Sequence, residues 1–153
     1  MKTVDAIIIG GGIAGVSAGA CLARHMSVLV LETEARIGYH ATGRSAAILI
    51  RNYGNATLRA LNAASAPFLA APEAVSDETL LSPRGEMLVA HETELDALAA
   101  YVAGSTGMEV LTARQARELV PILRPEGIAQ AAIEWDAQDI DVDRMLAGYA
   151  RLL

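Results

Sequence analysis

Cysteine, aromatic and basic residues are all scarce in this 153-residue sequence. Its one cysteine, Cys21, cannot form a disulfide within the chain, so the fold does not depend on an oxidising compartment. Aromatic residues make up 4% of the chain, so the core must consist largely of Ala, Leu, Ile and Val. The net charge of −6 excludes the strong positive field of a nucleic-acid-binding protein.

Apart from residues 6–23, the sequence also lacks an apolar run that approaches the length needed to span a bilayer. Residues 6–23, with Lys2 before them and small residues ahead of Cys21, superficially resemble a lipoprotein signal peptide. Asp5 interrupts the start of that run, and its glycines fall where a tight turn needs them, so we interpret it as a folded segment. We expect a soluble cytoplasmic protein, with peripheral contact to a membrane left open, and a small buried Cys21 on the first helix.

What the N-terminus does contain is a strand–turn–helix–strand pattern. Residues 4–9 are apolar except for Asp5 and rich in β-branched side chains, three glycines follow, and residues 13–25 carry a helical stripe of small residues. Residues 28–31 form a second apolar run. The pattern predicts an α/β fold with two parallel strands, each buried on both faces.

The glycines of this unit match a dinucleotide-binding turn, Gly10-x-Gly12-x-x-Gly15. Gly10 permits the turn, Gly12 lets the backbone approach a pyrophosphate, and Gly15 lets the helix pack on the strand. Glu32 follows the second strand, where a carboxylate accepts hydrogen bonds from a ribose, which favours FAD or NAD over NADP. The alternative is a glycine-rich turn that binds nothing.

Further along the chain, alternating patterns and capping residues predict more elements. We expect a helix capped by Asn55 and running to about residue 70, a turn at residues 82–85, a strand over 86–90 and a helix over 93–103. A strand over 108–111, a helix after the capping box that starts at Thr112, a strand over 128–134 and a last helix capped by Asp141 or Asp143 follow. Asp139, Asp141 and Asp143 fail as a calcium loop, because arginine occupies the required glycine position, so no metal site is predicted.

Residues 38–47, Gly-Tyr-His-Ala-Thr-Gly-Arg-Ser-Ala-Ala, resemble the flavin-contacting loop of the D-amino-acid oxidase-like superfamily, most of all the D-arginine dehydrogenase type. The resemblance continues through residues 53–54, 80–87, 120–124 and 139–141, and so covers essentially the whole chain. It implies a Rossmann-like FAD-binding unit, with residues 1–54 as the N-terminal part of the FAD domain. Residues 55–153 would be a helical connection followed by partial substrate-domain and FAD-domain elements.

The resemblance also implies which residues face the cofactor. The segment 41–48 would lie along the flavin and pyrophosphate, with Arg44 as a cation and a short helix near Ser45 that offers N–H donors. The implied cofactor-binding residues are Gly10, Gly12, Ala14, Gly15, Glu32, Thr33, Ala41, Thr42, Gly43, Arg44, Ser45, Ala46, Ala47 and Ile48.

Two further residues would face the substrate. By resemblance, Tyr53 would lie above the flavin ring and Glu86 would bind the cationic end of the substrate; taken alone, they read as an ordinary packed tyrosine and a solvated carboxylate. Ile48 stands where the D-arginine type carries a histidine near the substrate, which leaves the substrate preference open. His40 is either a loop residue bound to the backbone or a cofactor contact.

The implied reaction is oxidation of the carbon–nitrogen bond of a D-amino acid. Hydride passes from the α-carbon of the neutral amine to the flavin, and the imine is hydrolysed to a keto acid and ammonia. N-methylated amino acids and 2-hydroxy acids remain alternative substrates, and oxidase and dehydrogenase are not distinguished.

Members of the resembled family are more than twice as long, and a C-terminal segment covers their flavin and supplies the basic residue that holds the substrate carboxylate. We therefore expect a fragment, a truncated reading frame or one part of an enzyme completed by a second chain, inactive when isolated. A split subunit or inactive remnant that acts as a binding module, and an NAD-binding module, are the alternatives.

Overall fold

The computed structural model describes residues 3–153, so Lys2 of the signal-peptide comparison lies outside it. The chain forms two compact units. The first comprises the chain up to Ala47, Ser65–Ser82 and Asp139–Leu153, and the second comprises Ile48–Ala64 and Pro83–Gln138. The elements in chain order are β1 Ala6–Ile9, α1 Ile13–Leu22, β2 Val28–Leu31, β3 Ile48–Leu49, α2 Ala56–Ala70, β4 Leu81–Pro83, β5 Glu86–Ala90, α3 Leu95–Ala103, β6 Met108–Leu111, α4 Ala113–Leu119, β7 Gln130–Glu134, β8 Gln138–Ile140 and α5 Val142–Ala150, with single 3-10 turns at Thr42–Arg44, Glu92–Glu94 and Pro125–Gly127.

The first unit contains the predicted β-α-β arrangement. β1 and β2 pair in parallel, in a register that sets Ala6 beside Val28 and Ile9 beside Leu31, and α1 connects them. Helix α1 ends at Leu22, three residues earlier than predicted, where the N–H of Ala23 still donates to the carbonyl of Gly19. The predicted parallel pair and α/β fold are therefore present.

The prediction that β1 and β2 are buried on both faces was wrong. Helix α1 covers the face that carries Ile8 and Val30, whose methyl groups lie close to Gly15 and Gly19. Alternate residues point the other way and are exposed, up to 88% for Ile9. Residues 3–153 supply no second layer over that face; the exposed side chains are Ile7, Ile9, Leu29 and Leu31.

The prediction that Cys21 is buried was also wrong, because its thiol is exposed. Successive helical residues are rotated by about 100°. Gly19 packs against the strands, so Cys21, two positions later, faces away from them.

The second unit is built on an antiparallel sheet of order β5-β7-β6, with β7 in the centre. Alternate residues of β7 pack on opposite faces. Ala131 and Ile133 join a core cluster with Leu111 and with Ala116 of α4. Ala132 joins a second cluster with Ala90 and with Leu98 of α3. Both faces of the central strand are therefore covered.

The caps of three helices follow the sequence closely. Thr112 and Gln115 form both halves of the predicted capping box, Asn55 accepts from the N–H of Leu58, and Asp141, rather than Asp143, accepts from the N–H of Arg144. Three further boundaries differ from prediction. Helix α3 begins at Leu95 rather than at residue 93, after a 3-10 turn. Residues 81–83 are strand β4, so the turn is confined to Arg84 and Gly85, and β7 begins at residue 130 rather than 128. None of the helices within residues 3–153 is both long and apolar enough to cross a membrane.

Candidate functional site

The glycine turn between β1 and α1 has the close packing that its sequence predicts. Gly10 has a φ of +111°, which favours glycine, and its N–H donates to the carbonyl of Leu31 at 2.8 Å. A Cβ atom added at Gly15 would lie 2.0 Å from the carbonyl oxygen of Gly10. Helix α1 can therefore begin this close to β1 only if residue 15 has no side chain.

Three backbone N–H groups at the start of α1 have no acceptor within the described residues: those of Gly12, Ala14 and Gly15. Gly12, at the N-cap position, has no side chain that could accept from them. Unpaired N–H groups and the positive end of the helix dipole together suit phosphate oxygens. The turn therefore fits the pyrophosphate of a dinucleotide, with room at the backbone that a side chain would otherwise fill.

Glu32, immediately after β2, stabilises this turn by accepting hydrogen bonds from the backbone. Its Oε2 accepts from the N–H of Gly11 at 2.6 Å, and its Oε1 accepts from the N–H of Glu34 at 3.0 Å. The hydrogen bond from Glu34, and then that from Gly11, hold the pKa of the Glu32 carboxyl below its ordinary value. A hydrogen bond from a ribose hydroxyl to the Glu32 carboxylate, and a cofactor contact of the neighbouring exposed Thr33, stay predictions.

The loop that follows is tied to the same turn. Thr42 Oγ1 accepts from the N–H of Ile13 at 3.0 Å, which satisfies the first N–H of α1. The N–H of Gly38 donates to Gly11 at 2.9 Å, and the N–H of Gly43 donates to Gly38 at 2.8 Å. The structure thus brings Thr42 and Gly43 to the glycine turn of the first unit.

The short helix predicted near Ser45 was placed too late. The helical turn covers Thr42–Arg44, and Ser45 is extended, with φ −77° and ψ 142°. The Oγ of Ser45 accepts from the N–H of Ala47 at 3.0 Å, a local bond that competes with helix formation. Ala41 precedes the turn, Ala46 and Ala47 follow it, and Ile48 begins β3.

The charged side chains of this loop have partners within the loop. The guanidinium carbons of Arg36 and Arg44 each lie 5.6 Å from the centre of the Tyr39 ring, which suits a cation–π contact. His40 Nε2 lies 2.8 Å from Oε1 of Glu34, so its partner is a side chain rather than the backbone. Arg44 remains exposed, and its predicted role as a cation beside the cofactor is untested.

In the second unit, one cavity of about 350 Å³ is lined by both predicted substrate-facing residues, Tyr53 and Glu86. Its walls include Leu88 of β5 and Leu98 and Tyr101 of α3. Tyr53 is 60% exposed, so it is not an ordinary packed tyrosine. The cavity is mainly apolar, with carboxylate and phenol groups at its wall, a composition typical of small-molecule sites.

Glu86 is not an ordinary solvated carboxylate. Its Oε2 is buried and has no hydrogen-bond partner within residues 3–153. Burial, and then the neighbouring Glu134, raise the pKa of Glu86 above its ordinary value. Burial also raises the pKa of Tyr101 across the cavity, and Glu86 adds to that effect. A cationic group would supply the missing partner of Glu86.

Glu134, which the sequence did not single out, is the cross-strand neighbour of Glu86 and has 1% of its surface exposed. Its Oε1 accepts from the N–H of Arg51 at 2.8 Å, and its Oε2 accepts from Nδ2 of Asn52 at 2.6 Å. The buried amide of Asn52 also bonds both ways with the backbone of Thr106. The one sequence signal for this residue is a charged side chain that closes the apolar strand β7.

A larger cleft, of about 750 Å³, lies elsewhere. It lies along residues 70–79 of the first unit and includes Arg151, which donates to the carbonyl of Val75 at 2.9 Å. None of the predicted site residues lines it. Within the described part of the chain, no three His, Cys, Asp or Glu side chains are grouped so that they could hold a metal ion.

Both the sequence and the fold of this chain are similar to those of known proteins. The sequence model of the family described as "DAO: FAD dependent oxidoreductase" matches residues 5–153. Among solved structures, L-alpha-glycerophosphate oxidase from Mycoplasma pneumoniae, with FAD bound, superimposes with a TM-score of 0.80 at 16% identity, over 99% of this chain and 42% of that one. Glycine oxidase from Geobacillus kaustophilus gives 0.79 at 26% identity, over 97% and 44%. L-proline dehydrogenase from P. horikoshii gives 0.76 at 21%, over 99% and 41%.

These similarities differ in what they show about this chain. The first and third structures are below 25% identical to this chain, so they bear on the fold alone. The chain spans less than half the length of each of the three structures.

Proposed function

Because the chain belongs to the DAO family of FAD-dependent oxidoreductases, we propose that it serves the oxidative deamination of D-amino acids, with Tyr53 and Glu86 facing the substrate. Family membership confirms the predicted fold and FAD as the cofactor. The D-arginine dehydrogenase type, the D configuration of the substrate and the individual roles of the site residues are part of the proposal.

In this proposal, the residues that hold FAD belong to the first unit, except for Ile48. The N–H groups of Gly12, Ala14 and Gly15 bind the pyrophosphate, Glu32 and Thr33 lie at the ribose, and residues 41–48 follow the flavin. When bound, FAD supplies the acceptor for the hydride of the substrate α-carbon. We retain residues 1–54 as the N-terminal part of the FAD domain and residues 55–153 as the connection and partial substrate-domain elements.

The observation that carries the substrate assignment is the cavity shared by Tyr53 and Glu86. An ammonium or guanidinium group beside Glu86 would donate to its unpaired Oε2 and would offset the cost of burying its charge. Acidic ligands would meet repulsion from Glu86 and Glu134. This favours a substrate with a cationic side chain, and Tyr53 would hold the end that reacts.

One solved relative supports the substrate class in general terms. The glycine oxidase, which is 26% identical to this chain, oxidises an amino acid by its name. Glycine is achiral, so that name does not bear on configuration, and the D configuration rests on the resemblance of residues 38–47.

FAD binding is tested by adding FAD to the purified chain and recording the visible spectrum and the quenching of flavin fluorescence. The proposal predicts a bound flavin spectrum that Gly15→Ala abolishes. A folded chain with no flavin signal would contradict a self-sufficient FAD site.

Substrate class is tested by adding D-arginine or D-glutamate to the ¹⁵N-labelled chain and following amide shifts near residues 53 and 86. We expect saturable shifts with D-arginine, their loss in Glu86→Gln, and their retention in Glu92→Gln, which removes an exposed carboxylate outside the cavity. Equal shifts with D-glutamate would contradict a cationic subsite. Anaerobic bleaching of the FAD-loaded chain by L-arginine rather than D-arginine would contradict the D configuration.

A second candidate is a part of a two-chain assembly. The exposed apolar face of β1 and β2, formed by Ile7, Ile9, Leu29 and Leu31, is the observation that favours it, because apolar patches of this kind mark surfaces that another segment covers. Sedimentation of the purified chain tests this candidate. A stable, cooperatively unfolding monomer that binds FAD would remove its motivation.

A further inference from the structure

Glu86 and Glu134 face each other across the pair β5–β7. The antiparallel register sets Glu86 directly beside Glu134, and Glu134 beside Met108 of β6. Side chains two apart on a strand share a face, so Glu134 lies on the same side as Ala132, which packs toward α3. Two carboxylates therefore lie as direct cross-strand neighbours on the α3 side of the sheet, where like charges repel.

The two carboxylates are not equivalent. Both oxygens of Glu134 accept hydrogen bonds, from the N–H of Arg51 and from Nδ2 of Asn52, whereas Oε2 of Glu86 accepts none. Burial, and then the charge of Glu134, raise the pKa of Glu86, which has no hydrogen bond at Oε2 to offset either effect.

Glu134 also holds the backbone that carries Tyr53. Arg51 and Asn52 precede Tyr53 directly, and both are bound to the Glu134 carboxylate. Asn52 is 3% exposed, donates to the carbonyl of Thr106 at 3.0 Å and accepts from its N–H at 2.9 Å. Residues 51–53 are thus fixed to the sheet on one side and to the loop before β6 on the other.

We propose that Glu134 is a positioning residue for both substrate-facing side chains: it holds segment 51–53 by two hydrogen bonds, and it sets a carboxylate opposite Glu86. The proposal rests on the proposed function, since it assigns Glu134 a role at that same pocket. It makes the binding of a cation proton-linked: a ligand cation that pairs with Glu86 displaces the proton that Glu134 helps to retain there, so cation affinity falls as the pH is lowered.

Other titratable or charged groups around Glu86 could also make cation binding depend on pH. Tyr53, from the segment before α2, and Glu94 and Tyr101, from the α3 side, line the same cavity. Arg59 of α2 lies beyond Tyr101, with its guanidinium carbon 5.8 Å from the ring centre. None of these four groups is paired with Glu86 in the sheet; its direct cross-strand neighbour is Glu134.

The test compares Glu134→Gln, Glu134→Asp and the control Glu109→Gln in the full chain. Glu109 lies on β6 and its exposed carboxylate accepts from Nε1 of Trp135, a bond that glutamine can keep. Carbon-detected NMR follows the titration of the Glu86 carboxyl, and hydrogen exchange follows the amide of Arg51. We expect Glu134→Gln to move the Glu86 titration to lower pH, with no such move in Glu109→Gln.

Glu134→Asp separates the two parts of the proposal. It keeps the charge but shortens the side chain, so we expect the Glu86 titration to stay near that of the unmodified chain while exchange of the Arg51 amide accelerates about tenfold or more. This variant also serves if Glu134→Gln fails to fold. An unchanged Arg51 exchange rate in Glu134→Asp, or an unchanged Glu86 titration in Glu134→Gln, would overturn the inference.

The outcome is distinguishable from failure of the proposed function. Binding of D-arginine to the unmodified chain, measured by amide shifts at pH 5 and pH 8, tests the function by itself. Binding at both pH values with equal affinity would overturn the proton linkage and leave the function standing. Absence of binding at either pH, with the expected Glu86 titration shift, would overturn the function rather than the effect of Glu134 on Glu86.

Discussion

At the turn between β1 and α1, the groups offered to a ligand are backbone N–H groups, whereas in the cavity beside β5 they are carboxylates and phenols. The turn depends on the absence of a side chain, because a Cβ at Gly15 would lie 2.0 Å from the carbonyl oxygen of Gly10. The cavity is defined by what is present, namely Glu86 with one unpaired oxygen beside the buried Glu134.

Because of this difference, substitutions in the two regions should impair ligand binding and stability in different ways. Backbone N–H groups keep their partial charge at any pH, so the turn should depend on atomic size and on hydrogen-bond acceptors. The cavity contains titratable groups close together, so it should depend on charge. Substitutions that change size alone or charge alone can therefore test whether this contrast is real.

The largest effect is expected from Gly15→Ala in the turn. The added Cβ would overlap a backbone atom, which cannot move as a side-chain tip can, so we expect a loss of about 1–3 kcal/mol in the free energy of unfolding. Urea unfolding measures it. The matched control is Gly104→Ala, where the nearest atom to the new Cβ is 3.5 Å away, and stability should be unchanged or slightly higher. Equal effects at both glycines would contradict the size argument.

A smaller effect is expected from Thr42→Val, which removes the acceptor of the Ile13 N–H without changing the side-chain shape. We expect a loss of about 1 kcal/mol in unfolding free energy, because a hydrogen-bond donor at the helix start loses its partner. Thr42→Ser keeps the hydroxyl and should restore most of the loss. If valine and serine behave alike in urea unfolding, the bond does not tie the loop to the turn.

In the cavity, removing a charge should stabilise the fold. The folded-state pKa of Glu86 is raised, so the folded protein binds the proton more tightly than the unfolded chain does. The free energy of unfolding therefore declines as the pH rises from the ordinary pKa of a glutamate through the higher pKa of the folded state. Glu86→Gln should therefore be more stable than the unmodified chain at neutral pH, by less than about 1 kcal/mol because solvent screens a partly buried group. The gain should vanish in acid. Glu92→Gln is the control, and thermal unfolding at pH 4 and pH 8 is the measurement; a gain that persists in acid would contradict the charge argument.

The smallest effect is expected from Glu32→Gln, which removes a charge from the turn but keeps one acceptor oxygen. The folded-state pKa of Glu32 is lowered, so its contribution to stability is present above its ordinary value of about 4.5 and is lost as the pH falls through the lower folded-state value. We expect a slightly lower unfolding midpoint at pH 7 and no difference in stronger acid. Glu73→Gln, which replaces an exposed carboxylate of the first unit, is the control. A larger loss than that of Gly15→Ala would break the contrast between the two regions.

The same contrast explains how far the sequence could predict the molecule. The turn is local: Gly10, Gly12 and Gly15 lie within six residues, and the spacing alone predicts their conformation. Thr112 and Asn55 were predicted as caps for the same reason. The bond between Asn52 and Glu134 joins residues 82 positions apart, and no local pattern indicates it. Tyr53 and Glu86 came from resemblance, and only the folded sheet brings them to one cavity.

The two wrong burial predictions have a related cause. An apolar strand and a helical cysteine have the same local pattern whether or not another layer covers them. The exposure of Ile9 and Cys21 depends on which elements surround them, and that is decided by tertiary packing. The helix near Ser45 was misplaced because a hydroxyl-to-backbone bond within three residues decided the conformation instead.

The side chain of Asn52 has a direction, since one end of an amide only donates and the other only accepts. Its nitrogen faces a carboxylate and a carbonyl, and its oxygen faces an N–H, so turning the amide over would set like against like at all three partners. Aspartate has nearly the same shape yet offers no donor. Deamidation of Asn52 would therefore remove one of the two donors of Glu134 and would set a second carboxylate beside it in the interior, with almost no change in the mass of the chain.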